Sequence, residues 1–395
     1  MPARTGVGAE ELRRANLRAI LRAVHSHGPT TRAVLTKELG LNRSTIGALT
    51  GELQSLGLVS EESAGVAGRS GRPSHLVVPR QDNVVVAVDL GVDRIATALV
   101  GLGGEVLDHR TRTHQRGRHD VAHVVEAVAQ MVEDVLGARP QRCLGVGVAV
   151  PGAVRSRDGL VRFAPNLGWV DAPFTELLQQ RLGRPICTGN DANLGVLAEH
   201  LRGAAAGYSD VVYLSASVGI GGGFLSGGRP LEGISGYAGE VGHMPVDGTG
   251  PVCRCGAIGC WETKVGENVL LRRAGRLPGG GPAAVAEVIT AAQAGERRAV
   301  DAVAELADWC GIGIRAIVNI FNPEVVVLGG CLAQVWRAAE DRVDEAMNRS
   351  TLISPREDVV VRVALLGDDA PLIGAAELAF GPVLEHPQAV IAPAV

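Results

Sequence analysis

No stretch of this chain approaches the ~20 consecutive apolar residues that a membrane-spanning helix needs. The opening MPARTGVGAEELRR lacks the apolar core of a signal peptide, so the cytoplasm is the expected location. Lysine is almost missing: Lys37 and Lys264 are the only two among 38 basic residues, which we attribute to the codon bias of a GC-rich genome rather than to function. Short-period repeats and low-complexity segments are absent apart from a Gly/Pro patch at 275–283. Cysteine occurs seven times, and an odd count without an export signal argues against a disulfide framework.

What is present is enough for two or three domains: 395 residues, 46% hydrophobic and 20% charged. The net charge of −4 conceals an asymmetry. Residues 1–80 carry 11 basic against 6 acidic side chains, while the remainder carries 27 against 36. A basic head on an acidic body points to a polyanion as the partner of the head.

Within that head, Leu12, Ala15, Leu17, Ile20, Leu21 and Val24 recur at helical spacing over residues 9–27, and Gly28-Pro29 stops the helix. Thr30 or Thr31 can cap a second short helix that ends at Gly40. A third runs from about Arg43 to Leu56, with Ile46, Leu49, Leu53 and Leu56 inward and Asn42 at its cap. Two short apolar runs, LVSEE and HLVV, flank the loop GVAGRSGRPS and predict a β-hairpin. This order is that of a winged helix-turn-helix; a three-helix linker bundle is the plain alternative. In such a unit the third helix enters the major groove of double-stranded DNA by its N-terminus, which makes Asn42, Arg43, Ser44 and Thr45 the contact candidates, Arg43 for guanine. Arg69 and Arg72 in GRSGRP would read a narrow minor groove, or else belong to a linker.

From about residue 82, strand-like runs followed by helices occur twice over, predicting two α/β lobes with a cleft between them. The motifs DLG (89–91), GVAVPG (147–152), APNLGW (164–169), NDAN (190–193), GIGGG (219–223), GEVGHM (239–244) and CRCGAIGCWE (253–262) resemble those of the ROK family of repressors, open reading frames and sugar kinases, and in particular its xylose and N-acetylglucosamine repressor branch. The resemblance covers nearly the whole chain. It implies an α/β fold in which an N-terminal winged helix-turn-helix, residues 1–80, precedes a two-lobed actin-like, sugar-kinase-like domain. The first lobe is expected over 81–200 and the second over 201–395, with the C-terminal segment returning to the first.

Three thiolates, Cys253, Cys255 and Cys260, crowd one Gly-rich loop and need a fourth ligand to complete a tetrahedron around zinc. The family pattern supplies it from His243. Such a closed shell is structural and activates no water; three reduced buried thiols are the plain alternative. The resemblance further implies that Asn190, Asp191, Glu240, His243 and Glu262 bind sugar hydroxyls, with Asn166 beside them. Asp191 would be the catalytic base if the chain is a kinase, and His243 could give one ring nitrogen to metal and one to sugar. Otherwise NDAN is a helix N-cap and the two glutamates are solvated loop carboxylates.

Two departures from the family pattern argue against ATP and Mg as cofactors. Where the kinases carry a threonine that binds nucleotide phosphates, this chain has Asp93, and a second phosphate-facing hydroxyl has become Val218. The expected function is therefore a sugar-responsive transcriptional regulator, in the family's usual direction a repressor of carbohydrate-metabolism genes, that takes a sugar or sugar phosphate as effector. It would bind its operator as a homodimer or homotetramer; the alternative is a bifunctional regulator that is also an ATP-dependent sugar kinase.

Overall fold

A computed structural model describes residues 8–63, 75–137, 142–349 and 357–389. Helix α1 (Ala9–His27) buries Leu17, Ile20, Leu21 and Val24 of the predicted stripe completely, whereas Leu12, in its first turn, stands exposed and Ala15 is half-buried. Strand β1 (Thr30–Thr31) and helix α2 (Arg32–Leu39) follow, and the Thr31 hydroxyl caps α2 by accepting from the Val34 N–H at 3.3 Å. Gly40, at φ 64°, ends α2 in a left-handed conformation that other residues resist. Helix α3 (Arg43–Ser55) starts from Asn42, whose Oδ1 accepts from the Thr45 N–H at 2.8 Å. Strands β2 (Val59–Ser63) and β3 (His75–Pro79) pair antiparallel, and β1 pairs with the other edge of β3, a third strand that no sequence pattern announced. The segment 68–73, with Arg69 and Arg72, lies outside the described residues.

Next comes a five-stranded sheet ordered β11-β7-β4-β5-β6. Its strands are β4 (Asn83–Leu90), β5 (Arg94–Gly101), β6 (Val106–Thr113), β7 (Arg142–Val150) and β11 (Ile186–Asn190). Between β7 and β11 lie a small sheet of β8 (Ala153–Val154), β9 (Val161–Ala164) and β10 (Trp169–Ala172), and helix α5 (Phe174–Leu182). Central strand β4 is buried on both faces, so its pattern is a continuous apolar run rather than an alternation. Val84, Val86 and Val88 pack with α4 (Val121–Leu136), while Val85 and Ala87 join a cluster with α11 (Ala370–Glu385). That second cluster also contains the buried stripe of α1, so the N-terminal helices share a core with the first lobe.

A second five-stranded sheet is ordered β14-β13-β12-β15-β16. It comprises β12 (Val211–Ala216), β13 (Ile220–Ser226), β14 (Arg229–Pro230), β15 (Val325–Gly329) and β16 (Val360–Val363). Alternate residues of β12 face opposite ways, as strand geometry requires. Val212 and Leu214 meet α7 (Glu267–Arg273), α8 (Gly281–Gln293), α9 (Arg297–Phe321) and α10 (Gly330–Asn348); Val211 and Tyr213 meet α6 (Asp191–Arg202). Helices α6 and α11 thus lie between the two sheets, α6 against the second and α11 against the first. Parallel strands β4, β7, β11, β12 and β15 all deliver their C-terminal ends to the same cleft, where ligands of open α/β sheets bind. No helix among the described residues is long and apolar enough to cross a membrane.

Candidate functional site

The cleft contains a cavity of about 360 Å³ lined by Asn166, Asn190, Asp191, Glu240, His243 and Glu262, all the residues expected to meet a sugar. Asn190 is indeed the N-cap of α6: its Oδ1 accepts from the Ala192 and Asn193 N–H groups at 2.9 and 3.0 Å. Its Nδ2 donates to Gly152 O at 3.0 Å, which leaves one amide hydrogen for a ligand. The cap and the binding role are therefore compatible. Asp191, the first residue of α6, has its carboxyl pushed up to about 7 by burial, reinforced by the nearby charges of Asp89 and Glu240. Asp89, at the end of β4, is raised to about 6 by burial, with Arg94 opposing the rise. Glu240 is also raised by burial, while His243 draws it down.

His243 ends a short 3-10 turn (Val241–His243) that starts at Glu240. Its two nitrogens face different chemistry. Nδ1 lies 3.6 Å from Cys253 Sγ and 3.7 Å from Glu262 Oε1, and Nε2 lies 4.0 Å from Glu240 Oε2 on the cleft side. Donor atoms of His243, Cys253, Cys255 and Cys260 all lie within 4.8 Å of one another, and the Sγ atoms of Cys255 and Cys260 are 3.6 Å apart. Tetrahedral coordination with metal–sulfur bonds of about 2.3 Å has sulfur–sulfur edges of about 3.8 Å, so these four donors fit one metal ion. Burial and the Glu262 carboxylate push the Cys253 thiol up to about 12. A cation among the donors would reverse that balance and deprotonate it.

The loop is anchored on both sides. Lys264 Nζ meets Asp247 at 2.6 Å, and the fully buried Trp261 donates its indole N–H to Trp309 O at 2.8 Å. Glu262, held between the two, comes so close to the GIGGG turn that a Cβ on Gly219 would sit 2.8 Å from its Oε2. A side chain at 219 would displace the Glu262 carboxylate, so the small residue there has a structural use apart from any phosphate.

A second cavity of about 190 Å³ adjoins the first and shares Asp191 and Ser217 with it. Its wall is filled by internal ion pairs that sequence reasoning missed. Asp93 accepts two hydrogen bonds from Arg116, at 2.7 and 2.8 Å, and Arg116 reaches across to the buried Glu267 of α7 at 3.1 Å. Arg94 bonds Asp89 at 3.2 Å and Asp368 O at 2.9 Å. The 23-residue separation of Asp93 from Arg116 follows no local period, so nothing in the amino-acid order announced the pair.

In the N-terminal unit, Asn42, Arg43 and Ser44 are exposed at the start of α3, and Thr45 is half-buried. Ser44 donates to Asn42 Oδ1 at 2.7 Å, so both of these belong to the cap, while the Arg43 side chain stands in solvent.

The fold and site together define a two-lobed, sugar-kinase-like α/β protein preceded by a helical unit with a small antiparallel sheet. The ROK family model matches residues 85–381, and the chain belongs to that family. A putative xylose repressor of Caldicellulosiruptor sp. (strain Rt8B.4) is 32% identical over 394 residues, spanning 96% of this chain and 98% of that one. The solved structure of a ROK family transcriptional regulator, a homologue of the E. coli MLC protein, superposes with a TM-score of 0.78 over 95% of this chain and 97% of the other, at 24% identity. A ROK family glucokinase from Streptomyces griseus, solved with glucose and AMPPNP, gives a TM-score of 0.64 at 27% identity; it covers 75% of this chain and 98% of its own.

Proposed function

We propose that this protein is a sugar-responsive transcriptional repressor of carbohydrate-metabolism genes. It binds double-stranded operator DNA through α3 and a sugar between its lobes. The observation that carries the reading is the asymmetry of the cleft. Hydrogen-bonding side chains converge on one side, whereas Arg116, tied to Asp93 and Glu267, lines the side where a kinase would hold nucleotide phosphates. A phosphate entering there would meet Asp89, Asp93 and Glu267 and would have to break the Arg116 pairs first. Similarity to a xylose repressor along almost the whole length supports the regulator over the kinase.

In this reading Asn190, Asp191, Glu240, His243 and Glu262 grip the sugar, with Asn166 at the rim. Cys253, Cys255, Cys260 and the Nδ1 of His243 hold a structural zinc ion. Zinc suits a closed set of three thiolates and one imidazole, and when bound it fixes the loop that presents His243 and Glu262. The chain acts as a homodimer or homotetramer, because two recognition helices about 34–36 Å apart are what a two-half-site operator demands.

Fluorescence anisotropy of the purified protein on the DNA upstream of its own reading frame, at fixed salt, tests this against pentoses, hexoses and their phosphates. Tight binding released by one sugar supports it; no sequence-specific binding under any condition defeats it. On a bound site, Arg43→Ala is expected to cost about 1–3 kcal/mol and to relax selectivity at one base pair. An equal loss on every sequence would reassign Arg43 to the phosphates.

One observation favours a second reading, in which the regulator is also an ATP-dependent sugar kinase. Asp191, held near 7, has the basicity suited to a general base at neutral pH. ADP release with any sugar of the panel, abolished by Asp191→Asn, would establish it.

A further inference from the structure

Far along α6 from Asp191, a cluster of polar side chains lies in the interior. His25 of α1 is 1% exposed, and Glu377 of α11 is 4% exposed. Between them comes Arg202, the last residue of α6. His25 Nδ1 accepts from the Gly103 N–H at 3.1 Å, which places the ring proton on Nε2, where it donates to Glu377 Oε2 at 2.9 Å. Arg202 Nε donates to Glu377 Oε1 at 2.5 Å, and its NH1 donates to Gly103 O at 3.0 Å. The His25 ring also packs against Phe380 of α11, with centroids 4.8 Å apart. One node therefore joins the N-terminal unit, the helix that starts in the cleft, and the helix that backs the first sheet.

Three features make this node mechanical rather than local. Helix α6 is 12 residues long, about 17 Å of rigid rod from Asp191 to Arg202. It crosses α11 so closely that a Cβ on Gly374 would sit 2.0 Å from Leu194 O, so the two helices cannot slide past each other freely. Around the node, Arg18 and Arg22 of α1 both pair with Glu385 of α11, and the apolar stripe of α1 is continuous with Ala376, Phe380 and Val383. The end of α6 is thus bonded directly to α1.

We propose that the His25–Glu377–Arg202 node is the joint through which occupancy of the cleft is read by the N-terminal helices. This rests on the proposed function, because it takes α3 as the DNA-reading helix and the cleft as the effector site. Sugar binding at the start of α6 repositions Arg202, and His25 passes the change to α1 and so to the spacing of the recognition helices. The residues act on position; none touches DNA or sugar. Burying the Arg202–Glu377 ion pair against His25, where apolar side chains would pack as stably, fits a role in setting geometry.

Arg202→Met and Glu377→Gln test it in the full-length protein, with upstream DNA and the sugar panel as probes. Melting temperature and sugar binding by calorimetry in the absence of DNA are measured on each. In the wild type, sugar should weaken DNA binding about tenfold or more, and DNA should weaken sugar binding by the same factor. In either variant that stays folded and binds sugar, both effects should shrink to about twofold or less while sugar-free DNA binding persists. Release by sugar as in the wild type overturns the proposal. So does loss of DNA binding without sugar at an unchanged melting temperature, since the node would then merely hold α1 in place. A wild-type protein that does not respond to sugar defeats the functional reading itself, before the variants are consulted.

Discussion

Asp191→Asn is expected to melt at a higher temperature than the wild type at pH 8, and at the same time to lose its response to sugar. Burial, with Asp89 and Glu240 nearby, lifts the folded-state carboxyl from 3.8 to about 7. The folded state thus holds the proton more tightly than the unfolded chain, and wild-type stability falls as pH rises from about 4 to about 7. Asparagine does not titrate and keeps the Oδ1 that accepts from the Ala192 N–H, so it escapes the penalty without losing that bond. After allowing for the carboxylate's contact with cleft solvent, the gain at pH 8 is about 2–3 kcal/mol, vanishing near pH 4. Sugar affinity should drop at least tenfold, because a charged acceptor for a sugar hydroxyl contributes about 1.5–3 kcal/mol. A stability gain paired with a functional loss marks a binding group held at a cost. Scanning calorimetry at pH 5 and pH 8 decides it: a melting temperature that falls at both pH values would make Asp191 a structural residue.

Cys260→Ser should lose the metal ion and, with it, the sugar response. Cys260 is fully enclosed, and its Sγ is one of four donors converging within 4.8 Å. A serine hydroxyl is a poor substitute for a thiolate, and three remaining donors no longer close the shell. Elemental analysis should give about one zinc per wild-type chain and almost none in the variant. Loss of a structural metal belongs to the small class of changes costing about 4 kcal/mol or more. Trp261 and the Lys264–Asp247 pair hold part of the loop independently, so the protein should still fold at low temperature. DNA affinity without sugar should stay within about threefold, because distant sites contribute additively. Cys187→Ser, outside the cluster, is the control and should keep its metal. Zinc retained in Cys260→Ser would remove Cys260 from the ligand set.

Much of this was legible in the amino-acid order because it is written in local spacing. The stripe of α1, the Gly40 stop, the Asn42 cap and the alternation of strands with helices depend only on periods of two and 3.6 residues and on turn chemistry. The CxCx4C loop was equally plain, since three thiolates within eight residues have few other uses. Asn190 carried two meanings in sequence, cap and ligand, and the geometry shows why neither excludes the other: its carbonyl serves the helix while one amide hydrogen remains free.

What the sequence determined, then, was the inventory: most of the helices and strands, the side chains that can hold a metal, and the two positions, Asp93 and Val218, where a phosphate-binding hydroxyl is missing. Only the tertiary structure decided how these parts meet. It turned His243 so that one nitrogen joins the cysteines and the other faces the cleft, and it delivered Arg116 to Asp93 and Glu267 across the lobes. It also buried His25 against Glu377, 352 residues away in the chain. Such pairings have no period to betray them; they arise where packed layers bring distant elements together, and burial then makes each unpaired charge too costly to leave alone.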